Sequence, residues 1–319
     1  MKILITGFFG EGNLGDETIL QAICNNLLPG IGSITTSGTQ MQAQTRAIRR
    51  RGLAAWPAYL CAARESRFAV FSGGILQDWS FEGVTFFALR IIAASLMGCE
   101  PTLWGAGVGP LRSVGAKQIA RRALRRVKIA WLRDAASVDI FNELAPCRAT
   151  LGTDWSWNFP VKWQKEPPQN APMGLNLRKW PSNGWREQMA HQLRHNERKI
   201  AGLAARKGDI QIIRELAPTA SVFMPVTFVE FADICRNLSF GVAMRYHAAL
   251  AMLRAGVPVK FVAYDSKVSA LARSANILTL QQNQISDFRQ AREGFCGENE
   301  ERFALMQQAF KDMLSREHL

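Results

Sequence analysis

Lys2-Ile3-Leu4-Ile5-Thr6-Gly7-Phe8-Phe9-Gly10-Glu11-Gly12-Asn13-Leu14-Gly15-Asp16-Glu17 joins a short apolar run to a glycine-rich turn and the start of an amphipathic stretch. A brief, continuous apolar run bounded by glycine reads as a strand buried on both faces, and the spacing over Asp16–Leu28 reads as a helix. The unit repeats along the first half. Apolar runs at Ser33–Thr36, Ala69–Ser72, Thr102–Gly105 and Ala130–Leu132 alternate with helical spacing at Val84–Met97, Gly115–Arg126 and Ala135–Leu144. Such alternation predicts an α/β fold with a mostly parallel sheet covered on both faces.

Near residues 162–173 the pattern lapses into Lys162-Trp163-Gln164-Lys165-Glu166-Pro167-Pro168-Gln169-Asn170-Ala171-Pro172, which reads as an exposed linker. Beyond it come a strand at Met173–Leu177, one long helix from Trp185 to about Arg206, and further strands at Ser221–Met224, Phe240–Ala243, Val259–Val262 and Ile277–Leu280. A last helix is expected over Glu298–Leu314. The expected domains are therefore 1–161 and 174–319, the second carrying the C-terminal helix, with a proline-rich linker over 162–173 and a cleft between the two. The tryptophans at 155, 157, 163, 180 and 185 gather around this linker, where core and linker packing is a simpler account than sugar stacking.

The chain has 319 residues, 48% hydrophobic and 20% charged, which excludes disordered, collagen-like and fibrous classes. Its formal net charge of +13 favours acidic partners such as phosphorylated small molecules or an anionic lipid surface. The arginine clusters at 46, 49, 50 and 51 and at 121, 122, 125 and 126 are expected on helices, as solvated faces. No helix-turn-helix, zinc-finger or RNA-recognition pattern accompanies the charge, so nucleic acid is not an expected partner. Six scattered cysteines without a Cys-x-x-Cys pair suggest reduced thiols in the cytoplasm, with no zinc site. His191 and His195 form an i, i+4 pair on a polar helix with no third ligand, so no metal is expected. Met1–Gly7 is too short for a signal peptide, and the apolar stretch at 84–98 is broken by Arg90. A soluble protein is expected, with peripheral contact at the inner face of the membrane left open by its basic surface.

In open parallel sheets, ligands bind beyond the carboxyl ends of the strands, so chemistry is sought in the turns there. Gly10-Glu11-Gly12-Asn13-Leu14-Gly15 is literally G-x-G-x-x-G, but it starts too late after the strand. Asp16 and Glu17 occupy the helix start, where a pyrophosphate would meet like charge. A dinucleotide is therefore not expected. Asp16 is either a helix cap or, with Asn13, a holder of sugar hydroxyls. Ser72-Gly73-Gly74-Ile75-Leu76-Gln77-Asp78 and Gly105–Pro110 are two further turns of this kind. Gly73 and Gly74 allow close approach of a ligand, while Gln77 and Asp78 add polar groups. In the second half, three strand ends carry Arg178, then Arg245 and His247, then Lys267. Arginine forks match carboxylate and phosphate geometry, and lysine adds a point charge, so a small anion of two or three charges is the natural ligand. A lone histidine at a helix start is commonly structural, yet Arg245 two residues before His247 favours a functional reading.

Taken in order, these turns resemble the polysaccharide pyruvyl transferase family. The matching pieces are Gly7–Gly10 with Gly12–Glu17, Ser72–Asp78, Gly105–Pro110, Leu132-Arg133-Asp134, Gly152-Thr153-Asp154, Asn176–Trp180, Met244-Arg245-Tyr246-His247-Ala248, Ala255–Pro258 and Tyr264–Val268. The resemblance implies two Rossmann-like domains facing across a cleft, as in GT-B enzymes. It implies transfer of a pyruvyl group from phosphoenolpyruvate to a sugar diol of a cell-surface polysaccharide or its lipid-linked precursor, without a separate cofactor. The donor would lie by Arg245 and His247 with Arg178 and Lys267, His247 being the acid/base. Asp16 or Asp78 would serve the acceptor, with Asn13, Gly73, Gly74 and Gln77 contacting substrate. Between Trp180 and Met244 the chain looks short for the family, as if a strand–helix unit were missing or compressed. The alternatives are a nucleotide-sugar glycosyltransferase of the same fold and an inactive carbohydrate- or anion-binding relative. The acceptor sugar and the oligomeric state are not readable from the sequence.

Overall fold

The computed structural model describes residues 1–27, 33–37, 45–181, 184–280 and 288–315. Contacts divide the chain into two compact units. Unit 1 comprises Met1–Glu11, Ile19–Trp157 and Asn299–Leu319, and unit 2 comprises Gly12–Thr18 and Asn158–Glu298.

Unit 1 is built on β1 (Lys2–Thr6), β2 (Ser33–Ser37), β3 (Thr45–Ile48), β4 (Phe68–Phe71), β5 (Gly74–Ile75), β6 (Glu100–Val108), β7 (Ile129–Leu132) and β8 (Thr150–Leu151). The strands run in the order β3-β2-β1-β4-β6-β7-β8, with β5 paired to β6, and every pairing is parallel. Helices on the sheet bury β1 and β4 so fully that Ile3, Leu4, Ile5, Ala69, Val70 and Phe71 have no exposed surface. That burial is why these strands read as continuous apolar runs rather than alternating ones. Unit 2 carries β9 (Met173–Asn176), β10 (Ile200–Leu203), β11 (Ser221–Phe223), β12 (Phe240–Ala243) and β13 (Val259–Phe261), all parallel, in the order β11-β10-β9-β12-β13. Both sheets are doubly wound. Strand order reverses between β1 and β4 in unit 1 and between β9 and β12 in unit 2, and such switch points open a crevice at the strand carboxyl ends.

Several expectations are corrected. The stretch read as one helix to Arg206 is a helix at Trp185–Arg194, the strand β10 and a helix beginning at Lys207. The apolar run Ile200–Leu203 is short enough to pass for helix when read by periodicity alone. Its pairing with β9 and its burial settle its type. Arg46 lies on β3 and Arg49–Arg51 follow it, so that cluster is not helical and Arg50 is buried. Arg121 and Arg122 do end a helix, Val114–Leu124, with exposed side chains. The helix Ala55–Glu65 was not anticipated. The terminal helix Phe295–Ser315 belongs from Asn299 onward to unit 1, where Phe303 and Phe310 pack edge-on against Trp155 and Met306 sits against Gly152. The proline-rich stretch is fastened to unit 2, because Gln164 N donates to Ala255 O and Gln290 Nε2 to Lys165 O. Ile277–Leu280 makes only an isolated bridge, Thr279 to Phe261. Burial pushes the Cys24 thiol up to about 11 and Cys99 to about 12, in keeping with inert core thiols.

Candidate functional site

The switch point of unit 2 is fixed by Asn176, a fully buried residue at the end of β9. Its Nδ2 donates to Leu203 O at 2.7 Å, its Oδ1 accepts from Arg245 N at 2.9 Å, and its carbonyl accepts from Met244 N at 3.0 Å. One side chain therefore ties the ends of β9, β10 and β12 together. Arg245 then turns its fork onto Asp209, with Nε to Oδ2 at 2.6 Å and Nη2 to Oδ1 at 2.5 Å. Asp209 is 1% exposed, and its Oδ2 also accepts from the backbone N–H groups of Ala205 and Arg206, both at 3.1 Å. This is a bidentate, charge-assisted pair in a low-dielectric setting, so Arg245 is held in one orientation.

Arg245 is also the N-cap of the helix Tyr246–Arg254, and no side chain caps that helix. Its first N–H groups and dipole favour an anion at the strand end. Beside it, Arg178 donates from Nη1 to Tyr264 Oη at 2.8 Å and lies over the rings of Trp180 and Tyr264 at 4.8 and 4.9 Å. Arg178 Nε is buried without a hydrogen-bond partner, a donor with capacity to spare. Lys267 Nζ lies 3.4 Å from Asp265 Oδ2, an ion-pair distance outside hydrogen-bond geometry, while Asp265 Oδ1 caps the next helix through Val268 N at 2.9 Å. Arg178, Arg245 and Lys267 thus stand at the ends of adjacent strands of one unit. Together with a helix N-terminus they can hold a compact anion.

His247, in the first turn of the Tyr246 helix, is partly exposed, and the edge of its ring meets Tyr246. Its imidazole presses on Gly15: a Cβ built there would fall 1.8 Å from Nδ1. Leu14 N donates to Ala205 O at 3.0 Å, so Gly12–Thr18 counts with unit 2. Asn13 and Asp16 accordingly belong to the same unit as His247, where the sequence reading put Asp16 on the opposite side. Asn13 Nδ2 donates to Asp16 Oδ2. Asp16 is buried within the first turn of the helix Leu14–Asn25 and is not its cap.

In unit 1, Gly73 takes a left-handed φ of 78°, and the Gln77 amide fills the space a Cβ on Gly74 would need. Asp78 is engaged in local structure. Its Oδ2 accepts from Arg112 N at 2.9 Å, Ser113 N at 2.7 Å and Ser113 Oγ at 3.0 Å. The Ser113 and Arg112 N–H groups hold its carboxyl below the usual carboxylate range, which weakens it as a base. Gly74 and Gln77 line a cavity of about 200 Å³ together with Phe8, Arg50, Arg51 and Trp79. His191 and His195 are both exposed. Among the described residues no group of three His, Cys, Asp or Glu could hold a metal ion, and no helix is long and apolar enough to cross a membrane.

Sequence reasoning missed Asp209, and it placed Asn176 and Tyr264 in matching stretches without giving either a role. Asp209 was hidden because the helix was read through Arg206. The signal that could have found it is an acidic residue three positions after Arg206, where it closes back on the start of its own helix.

The sequence model of the polysaccharide pyruvyl transferase family matches residues 44–266. No curated protein matches the sequence. Among solved structures, Anabaena HepE in complex with UDP and glucose has a TM-score of 0.62 at 11% identity, covering 99% of both chains. The UDP-GlcNAc 2-epimerase of Neisseria meningitidis gives 0.59 at 10% identity, covering 99% of this chain and 100% of that one. MurG from Acinetobacter baumannii gives 0.50 at 12%, covering 99% of both. Identities this low show the fold alone, which is GT-B-like, with two Rossmann-like α/β units and parallel sheets. The family match spans more than half of the sequence, including the Met244–Ala248 element, and the chain belongs to the polysaccharide pyruvyl transferase family.

Proposed function

We propose that the chain transfers a pyruvyl group from phosphoenolpyruvate to two hydroxyls of a sugar in a cell-surface polysaccharide or its lipid-linked precursor. The products are a cyclic ketal and phosphate. The observation that carries the reading is the grouping of Arg178, Arg245 and Lys267 around the uncapped helix that bears His247. Phosphoenolpyruvate offers one carboxylate and one phosphate, which suits arginine forks and a helix N-terminus.

In the proposed reaction, protonation of the donor methylene makes its C2 oxocarbenium-like. A sugar hydroxyl adds to C2 and loses its proton, the C2–O bond to phosphate breaks, and the second hydroxyl adds to C2 and loses its proton to close the ring. Of the two protons released, one balances that on the new methyl and the other leaves with phosphate. The His247 imidazole, which can both donate and accept a proton, is the acid/base, and the cations stabilise departing phosphate. Asp78 is held by Ser113 and Arg112, and Asp16, which accepts from Asn13 in the unit of His247, is the carboxylate assigned to orient an acceptor hydroxyl. The protein would act in the cytoplasm, with contact at the inner membrane face if the acceptor is lipid-linked.

Thermal unfolding with phosphoenolpyruvate and with a panel of UDP-sugars tests this. A ligand at 100 times its Kd stabilises by about 2.7 kcal/mol, a shift of a few degrees at this size. The expected result is a shift with phosphoenolpyruvate that is lost in Arg178→Ala and Lys267→Ala. A shift with UDP-sugars alone would replace this reading by glycosyl transfer. Turnover in His247→Ala should fall about 10²–10⁴-fold, and retention within a few-fold would remove His247 from the mechanism.

A further inference from the structure

The pocket of unit 1 sits over an unusual ladder of cations and rings. Arg50, buried, lies 4.1 Å from the Phe8 ring centroid and 5.8 Å from that of Phe86. Arg90, also buried, lies 3.8 Å from the Phe86 ring centroid and 5.0 Å from that of Trp56. The Arg90 guanidinium is anchored on backbone carbonyls, since Nη2 donates to Arg50 O at 2.5 Å and Nη1 to Phe86 O at 3.1 Å. Glu11 pairs with Arg50. Among the described residues no carboxylate lies within ion-pair distance of Arg90. Burial, with Arg50 acting in the same direction, lowers Arg90 to about 10, so it remains charged at neutral pH. Arg51 adds an exposed cation at the rim, 5.9 Å from the Phe8 centroid, and Glu82 is the acid on the lining. Low-dielectric walls around a surplus of positive charge focus a field that draws anions.

We infer that this pocket is the subsite for an anionic sugar acceptor, a glycosyl unit whose phosphate or carboxylate meets Arg51 while its ring lies among Phe8, Gln77 and Trp79. The inference rests on the proposed pyruvyl transfer and assigns a substrate class to its acceptor side. The cavity, about 200 Å³, is smaller than the about 300–1,000 Å³ of pockets for drug-sized ligands. It therefore suits one sugar residue, not a length of polymer. The anionic group can belong to a lipid-linked glycosyl phosphate or to a uronic acid of the polymer, and the probes tell these apart.

Calorimetric titration of the full chain without phosphoenolpyruvate uses glucose 1-phosphate, methyl glucuronide and neutral methyl glucoside. At least one anionic sugar should bind about tenfold or more tighter than the neutral one, the worth of one hydrogen bond to a charged group. The preference should vanish in Arg51→Ala, an exposed position, and return in part in Arg51→Lys. Which anionic probe is favoured names the source. Equal binding of all three sugars, no binding of any, or a preference unchanged in Arg51→Ala overturns the inference. So does displacement of the sugar by phosphoenolpyruvate, which would make this the donor's pocket. A phosphoenolpyruvate-induced stabilisation that survives in Arg51→Ala is the companion result expected. Its absence from the parent protein would strike the pyruvyl-transfer reading, while the sugar titration would still report on the pocket.

Discussion

The two units each set arginine beside their turns, and they treat its charge differently. In unit 2, Arg245 meets Asp209 in a bidentate pair whose carboxylate is 1% exposed and further held by two backbone N–H groups. In unit 1, Arg50 and Arg90 share ring faces and backbone carbonyls, with Glu11 the carboxylate paired to Arg50, its own side chain 36% exposed. A matched buried pair fixes a direction in space and leaves little net field. With Glu11 answering Arg50, the cluster keeps one surplus cation at Arg90, which relies on π faces, weaker partners than a carboxylate. Arg245 is thus oriented by its partner, while Arg90 keeps a charge uncompensated among the described residues.

Breaking the matched pair should have the largest effect. Asp209→Asn leaves Arg245, its side chain only 13% exposed, without its counter-charge, and loss of one partner of a buried pair costs up to about 5 kcal/mol. Denaturant unfolding checks this; a midpoint equal to that of the parent would mean the pair carries no such weight. Next comes Gly15→Ala. In a helix the change would ordinarily stabilise by about 1 kcal/mol, but here the added methyl would lie 1.8 Å from His247 Nδ1. Turnover should fall toward that of His247→Ala, by about 10²-fold or more, while the unfolding midpoint changes little. Parent-like turnover would show that the contact does not position the imidazole.

Arg90→Met sharpens the contrast from the other side. It removes two hydrogen bonds from a charged group, worth about 1.5–3 kcal/mol each, but also relieves a buried charge that no carboxylate among the described residues compensates, so its net cost should stay below that of Asp209→Asn. A larger loss would mean the ring faces hold Arg90 as firmly as a carboxylate would. The smallest effect is expected at Asp78. Its lowered pKa means that its contribution is complete above the ordinary carboxylate range and is lost as pH falls through the lower folded value. Thermal midpoints between pH 5 and pH 2 should therefore fall less steeply in Asp78→Asn than in the parent, and identical slopes would refute the assignment.

Much of this was legible in the sequence. Continuous apolar runs such as Ile3–Ile5 and Phe68–Phe71 announce strands buried on both faces, because a parallel sheet under helices leaves no wet side. The residues at the strand ends, Arg178, Arg245, His247 and Lys267, could be named because βα turns are local and their chemistry is in the residue types. Less legible were elements whose periodicity is ambiguous over four residues, as at Ile200–Leu203, and segments whose packing partner is far away in the chain. Phe303 and Phe310 read as an ordinary helix face, and nothing near them names Trp155 as their partner.

The sequence by itself determined the α/β class, the succession of strands and helices in the first half, and the cationic turns, since periodicity and turn chemistry act over a few residues. Tertiary structure alone decided that Gly12–Thr18 joins unit 2, that Asn299 onward joins unit 1, that Asp209 holds Arg245, and that Arg90 stands behind Arg50. Those outcomes depend on which distant groups share a low-dielectric interior. There, hydrogen-bond satisfaction and charge compensation are settled between residues that no local pattern connects.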